Sequence, residues 1–172
     1  MPGPFVLRPA RPDEAAALTA LTLRSKAHWG YDPGFLDACR AELTVRPADC
    51  DGRRVVVAEN GALLLGYYRL AGSPPRGELA DLFVDPRRIG TGLGKALLRH
   101  ARGQAASAGM RDLAIDSDPH AEGFYLHAGA VRAGTVPSGA VPGRELPRLV
   151  IPTVAPAGRP GPHPARPKPE SR

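Results

Sequence analysis

The sequence predicts a mixed α/β sheet within a single domain, and three observations carry that expectation. Asn60-Gly61 stands between the apolar runs 55–58 (VVVA) and 63–65 (LLL), the strongest short-range signature of a two-residue β-hairpin. Residues 78–84 (ELADLFV) stop at Asp85-Pro86, pass through Gly90, Gly92 and Gly94 into 95–98 (KALL), and are followed by Leu113-Ala114-Ile115. Strand, glycine turn, helix and strand make a βαβ unit. A chain of 172 residues, 42% of them hydrophobic, fills one domain rather than two.

The elements follow in order. Residues 5–8 (FVLR) read as a short strand. Pro12, Asp13 and Glu14 open a helix whose apolar positions are Leu18, Leu21 and Leu23, since proline and acids suit a helix N-terminus. Residues 25–31 (SKAHWGY) are expected to be a loop, and Asp32 to cap a second helix from Pro33 with Phe35, Leu36, Cys39 and Leu43 as its stripe. The hairpin comes next, then the turn 72–77 (GSPPRG) and the βαβ unit, whose helix should persist to a C-cap near Gly109. A short helix over 121–127 ends at Gly129, and strands near 131–136 and 146–151 close the sheet. The domain is expected to span 1–152. Residues 153–172, with six prolines and no bulky apolar residue after Val154, are expected to form a disordered basic tail.

Composition excludes several classes. The net charge is +6, but Arg159, Arg166, Lys168 and Arg172 against Glu170 place +3 of it in the tail, leaving a weakly basic body without the stripe of a nucleic-acid binder. No run approaches a membrane span, and Met1-Pro2-Gly3-Pro4 lacks the order of a signal peptide. A cytoplasmic protein with reduced Cys39 and Cys50 is the expectation. The histidines (His28, His100, His120, His127, His163) lack metal-ligand spacing with the cysteines; no metal site is expected, and His100 is expected on the surface.

Glycines 90, 92 and 94 entering a helix leave backbone N–H groups unpaired beside the positive end of the helix dipole, which makes an anion cradle. By themselves such glycines require no more than a tight turn. A nucleotide P-loop needs Ser or Thr after the lysine, but Ala96 follows Lys95. A dinucleotide fingerprint needs G-x-G-x-x-G, and the spacing here is G-x-G-x-G.

Leu82-Phe83-Val84-x-Pro86, then 90–98 (GTGLGKALL), then Asp118-x-x-Ala121-x-x-Phe124-Tyr125-x-x-x-Gly129-Ala130 form an ordered series that resembles the GNAT superfamily of N-acetyltransferases. The specific motifs cover about 78–130, the order of elements about 5–151. The resemblance implies a mixed, mostly antiparallel twisted sheet of about seven strands with about four helices. It implies acetyl-coenzyme A as co-substrate, an amine acceptor, and a homodimer as an open question.

Gly92 and Gly94 fall on the glycines of the family's Gln/Arg-x-x-Gly-x-Gly/Ala pyrophosphate segment, with Ile89 at the Gln/Arg position; Arg87 or Arg88 could restore the missing charge. Cofactor-binding residues implied by the likeness are Phe83, Val84, Ile89, Gly90, Thr91, Gly92, Leu93, Gly94, Lys95, Asp118, Ala121 and Phe124, with Asp118 in place of an Asn. Phe83 and Val84 would act through the main chain of a bulged strand that splays from the next. Tyr125 falls where the family places a phenol that protonates the departing thiolate; the other reading is a ring packed against the pantetheine or the core. Glu78, eleven residues before Ile89, and Asp81 are the candidate bases; strict alternation separates their faces, and a bulge between them would unite them. The acceptor would meet His28, Trp29 and Tyr31, with 137–144 long enough to reach over the same cleft. A non-catalytic acyl-coenzyme A sensor is the alternative that keeps the cradle and loses the chemistry.

Overall fold

The computed structural model describes residues 3–154; the expected tail lies, from residue 155 on, outside the described residues. Strands β1 (Val6–Pro9), β2 (Val55–Asn60), β3 (Leu63–Ser73), β4 (Arg76–Val84), β5 (Asp112–Asp116), β6 (Val131–Pro137) and β7 (Glu145–Pro152) form one sheet in the order β1-β2-β3-β4-β5-β7-β6. Helices α1 (Ala15–Ala27), α2 (Pro33–Leu43), α3 (Leu93–Ser107) and α4 (Glu122–His127) complete the expected count. Every pairing is antiparallel except β4 with β5, so the predicted fold class is observed.

The hairpin forms where expected, with β2 ending at Asn60, Gly61 at φ +59° and β3 starting at Leu63. Val55, Val56, Val57 and Ala58 are buried on both faces of the sheet, which explains an unbroken apolar run in place of alternation. On one face α1 packs Leu18 and Leu21 against Val55, Val57 and Tyr67, with Phe83 at the margin. On the other, α3 lays Leu93, Leu97, Leu98, Ala101 and Ala105 against Tyr68, Leu70, Leu79 and Leu113. The stripe recurs at helical spacing, and its alanines let the helix approach closely.

Some local expectations change. Residues 25–27 lie in α1, so the connecting loop is confined to 28–32, where Asp32 Oδ1 accepts the Phe35 N–H at 2.8 Å as the expected cap. A 3-10 turn over Pro47–Arg53 escaped the reading, although Pro47 at its start and Asp49, which accepts the Arg46 N–H at 2.8 Å, are legible start signals. His100 is not a free surface residue. Its Nδ1 lies 2.8 Å from the Tyr68 hydroxyl, and burial lowers its pKa. Thr153 is buried and donates to the Met110 carbonyl at 2.8 Å, so the packed body includes it.

Candidate active site

The parallel pairing of β4 and β5 consists of Arg76 with Asp112, Gly77 with Leu113 and Glu78 with Ala114, and then stops. Past that point the strands diverge, and the peptide groups of Leu79–Val84 that face β5 lack a strand partner. The divergence coincides with a bulge. Leu70 pairs with Leu79 but Arg69 pairs with Asp81, which leaves Ala80 as the extra residue of β4. Without it Glu78 and Asp81 would point to opposite faces; with it, Glu78, Asp81 and Phe83 register with Ala71, Arg69 and Tyr67, all on the face that α1 covers.

The two carboxylates meet different surroundings. Glu78 is exposed and makes no ion pair among the described residues. Asp81 has a side chain only 10% exposed and accepts Arg69 Nε at 2.6 Å; burial raises its pKa, against the pull of Arg69. On the opposite face Tyr125 is buried at 5% exposure, edge-on to Phe124 at 5.0 Å. Its hydroxyl donates to no acceptor among the described residues, yet it is not among the sealed polar atoms without a partner, so the tip opens toward space that solvent reaches. Burial first, and the charge of Asp81 second, push the phenol pKa well above the usual tyrosine range.

In front of the divergence lies the N-terminus of α3. Its first intrahelical bond is Ala96 N–H to the Gly92 carbonyl at 3.1 Å, and no side chain caps it. The N–H groups of Leu93, Gly94 and Lys95 therefore have no acceptor among the described residues. Gly90 at φ +79° and Gly92 at φ +91° hold the left-handed turns that aim these donors outward. The Leu93 side chain belongs to the core, so it can offer a ligand only its N–H. Thr91 Oγ1 donates to the Arg88 carbonyl at 2.6 Å, Ile89 is 36% exposed, Lys95 is exposed, and Phe124 lies over Gly94. Of the two arginines considered for the missing charge, Arg87 is bound to Asp85 at 3.0 and 3.1 Å, whereas Arg88 makes no ion pair among the described residues. Val84 and Ala121 pack against the core.

Asp118 is the most heavily partnered of the expected site residues. Its carboxylate takes Lys26 Nζ, the Tyr31 hydroxyl at 2.9 Å and the His120 N–H at 2.9 Å, with Arg144 Nη2 at 3.7 Å. Its oxygens are thus held by Lys26 of α1, Tyr31 of the α1–α2 loop, its own 3-10 turn and, at longer range, Arg144 of the β6–β7 connection. Tyr31 stacks on Phe35 at 4.2 Å, and Trp29, 38% exposed, stacks on His120 at 5.2 Å. His28 meets Trp29 edge-on at 5.2 Å. The loop over residues 137–144 lies against α2, with Gly139 beside Glu42. Sequence reasoning found Tyr31 but missed Lys26 and Arg144 as its partners; the long β6–β7 connection was the available signal.

Burial alone would raise the Asp118 pKa, but Lys26 and the His120 donors bring it down from 3.8 to about 2. A depressed folded pKa stabilises the fold above the unfolded value and loses that contribution as pH falls through the folded one. The thermal midpoint of the native protein is therefore expected to exceed that of Asp118→Asn at pH 6, with the gap closing between about pH 4 and 2. A gap independent of pH would contradict this assignment.

The model of the acetyltransferase (GNAT) family matches residues 21–130. A GCN5-related N-acetyltransferase from Rhodopseudomonas palustris superposes with a TM-score of 0.68 at 21% identity, over 84% of this chain and 93% of its own. The PaiA N-acetyltransferase of Thermoplasma acidophilum, solved in complex with coenzyme A, gives 0.68 at 15%, over 86% and 98%. The ribosomal-protein-S18-alanine N-acetyltransferase of Escherichia coli gives 0.64 at 18%, over 91% and 97%. No curated protein matches the sequence.

Proposed function

Because this chain belongs to the GNAT family of acetyltransferases, we propose that it moves an acetyl group from acetyl-coenzyme A directly to a primary amine. The observation that carries the reading is the divergence of β4 from β5 after Glu78 and Ala114, in front of the uncapped N-terminus of α3.

The pyrophosphate of acetyl-coenzyme A would rest on the N–H groups of residues 90–95, where the helix dipole favours negative charge. Arg88 would add the cation that Ile89 does not supply. The unpaired peptide groups near Phe83 and Val84 would hold the pantetheine arm and the thioester carbonyl, and a backbone donor at that carbonyl stabilises the oxyanion as it develops. Ala121 and Phe124 flank this side. His28, Trp29 and Tyr31 face the acceptor.

An amine with a pKa near about 10 is mostly protonated at neutral pH, so a base must take its proton. We assign that role to Glu78, exposed and unpaired, acting directly or through one water, while Arg69 occupies Asp81. The amine nitrogen attacks the carbonyl carbon, the C–S bond breaks, and Tyr125 gives its proton to the departing sulfur. Neither cysteine is suited to an acyl-enzyme route: Cys39 and Cys50 are free and buried, and burial raises both thiol pKa values, the reverse of an activated nucleophile.

Thiol release from acetyl-coenzyme A against a mixed panel of primary amines tests the reading, with one N-acetylated product expected per thiol. Glu78→Gln is expected to lower kcat about a hundredfold while acetyl-coenzyme A binding stays unchanged. Binding without release on any amine would favour the acyl-coenzyme A sensor instead.

A further inference from the structure

The geometry points to an acceptor that carries a carboxylate, gripped by Arg144 at the end of the β4–β5 cleft. This inference rests on the acetyltransferase reading and names the chemical class of its second substrate.

Arg144 is held in place by two rings and a hydroxyl. Its guanidinium lies 4.7 Å over the Phe35 ring and 5.3 Å over the Tyr31 ring, and Nη2 donates to the Tyr31 hydroxyl at 2.8 Å. Nε and Nη1 reach no acceptor among the described residues, and neither is a sealed polar atom. A guanidinium fixed on aromatic faces, with donors left open, fits a carboxylate through paired N–H groups at little cost in side-chain entropy.

The charge balance agrees. Lys26, Arg144 and Asp118 have side chains only 11%, 19% and 12% exposed, so two cations share one carboxylate in a poorly solvated place. Asp118 is taken by Lys26 and stands 3.7 Å from Arg144. Glu42 is nearby but pairs with neither cation. Within the poorly exposed trio one positive charge is left over, Glu42 being exposed outside it, and that surplus matches a monoanion.

The position ties the grip to the reaction. Asp118 follows β5 by two residues and caps the 3-10 turn Pro119–Ala121, which runs straight into α4 and Tyr125. A ligand whose carboxylate sits on Arg144 therefore lies beside the connection that places the proton donor. The carboxylate remains unchanged by the transfer; only its amine gains the acetyl group.

Trp29 is the sole tryptophan of the chain and stacks on His120, which hydrogen-bonds to Asp118, so its emission reports on this cluster. With coenzyme A present at saturation, N-acetylglycine and the N-acetyl derivatives of the non-fluorescent primary-amine L-amino acids, each with its amide, are titrated against Trp29 fluorescence. At least one acid is expected to shift the emission saturably, with its amide about thirtyfold weaker or worse. Arg144→Gln should weaken that acid by a similar factor, and Arg144→Lys should fall between, with coenzyme A affinity unchanged in both. No saturable shift across the series, equal binding of acid and amide, or an unchanged affinity in Arg144→Gln would overturn the inference. Calorimetry of coenzyme A on the same samples separates the two readings, since loss of that binding would count against the acetyltransferase reading itself.

Discussion

Tyr125→Phe is expected to lower kcat about a hundredfold, with acetyl-coenzyme A affinity changed less than about threefold. The factor sits at the low end for a general acid because a thiolate is a good leaving group and a phenol held above the ordinary tyrosine range gives up its proton less readily than a thiol does, so the proton assists departure without being indispensable. The substitution removes one oxygen that bonds to nothing among the described residues and keeps a ring that packs in the core, so the thermal midpoint should move by no more than about 2 °C. Burial adds a pH signature. A phenol held above its ordinary range stays protonated to higher pH, and the native rate should show no falling limb near pH 10 that Tyr125→Phe removes. A variant with full kcat would leave Tyr125 as a packing residue alone.

Gly92→Val carries the other large effect. At φ +91° a β-branched side chain is strained, and relaxing that strain turns the N–H groups of Leu93, Gly94 and Lys95 away from a common focus. Acetyl-coenzyme A is expected to bind about a hundredfold more weakly, in line with about 2–3 kcal/mol of lost anion binding. Gly103→Ala is the control in the same helix. A methyl group there meets nothing within 4 Å, so it should stabilise the protein by about 0.5–1 kcal/mol and leave binding intact. Equal binding by Gly92→Val and the native chain would reduce the glycines to a turn.

What the sequence made legible was local. The Asn60-Gly61 hairpin, the Asp32 cap and the strand–glycine–helix passage from β4 to α3 each depend on neighbours within a few residues, so their chemistry can be read directly. The bulge at Ala80 was foreseen only as a condition for Glu78 and Asp81 to share a face, because nothing in ELADLFV marks where the extra residue falls. The cluster on Asp118 was illegible for another reason. Lys26 lies 92 residues from Asp118 and Tyr31 lies 113 from Arg144, and no periodicity connects positions joined only by the folded sheet. Asp118, which the likeness implied for the cofactor, is therefore the residue whose partners were least legible. His100 illustrates the same limit. It flanks the α3 stripe, and only the register of β3 brings Tyr68 under it.

Calorimetric titration of acetyl-coenzyme A into the native protein decides whether the open N-terminus of α3 and the divergence of β4 from β5 hold that molecule. A single saturable site with one equivalent bound is expected, weakened about a hundredfold in Gly92→Val. Absence of any binding heat across accessible concentrations and two temperatures would contradict it.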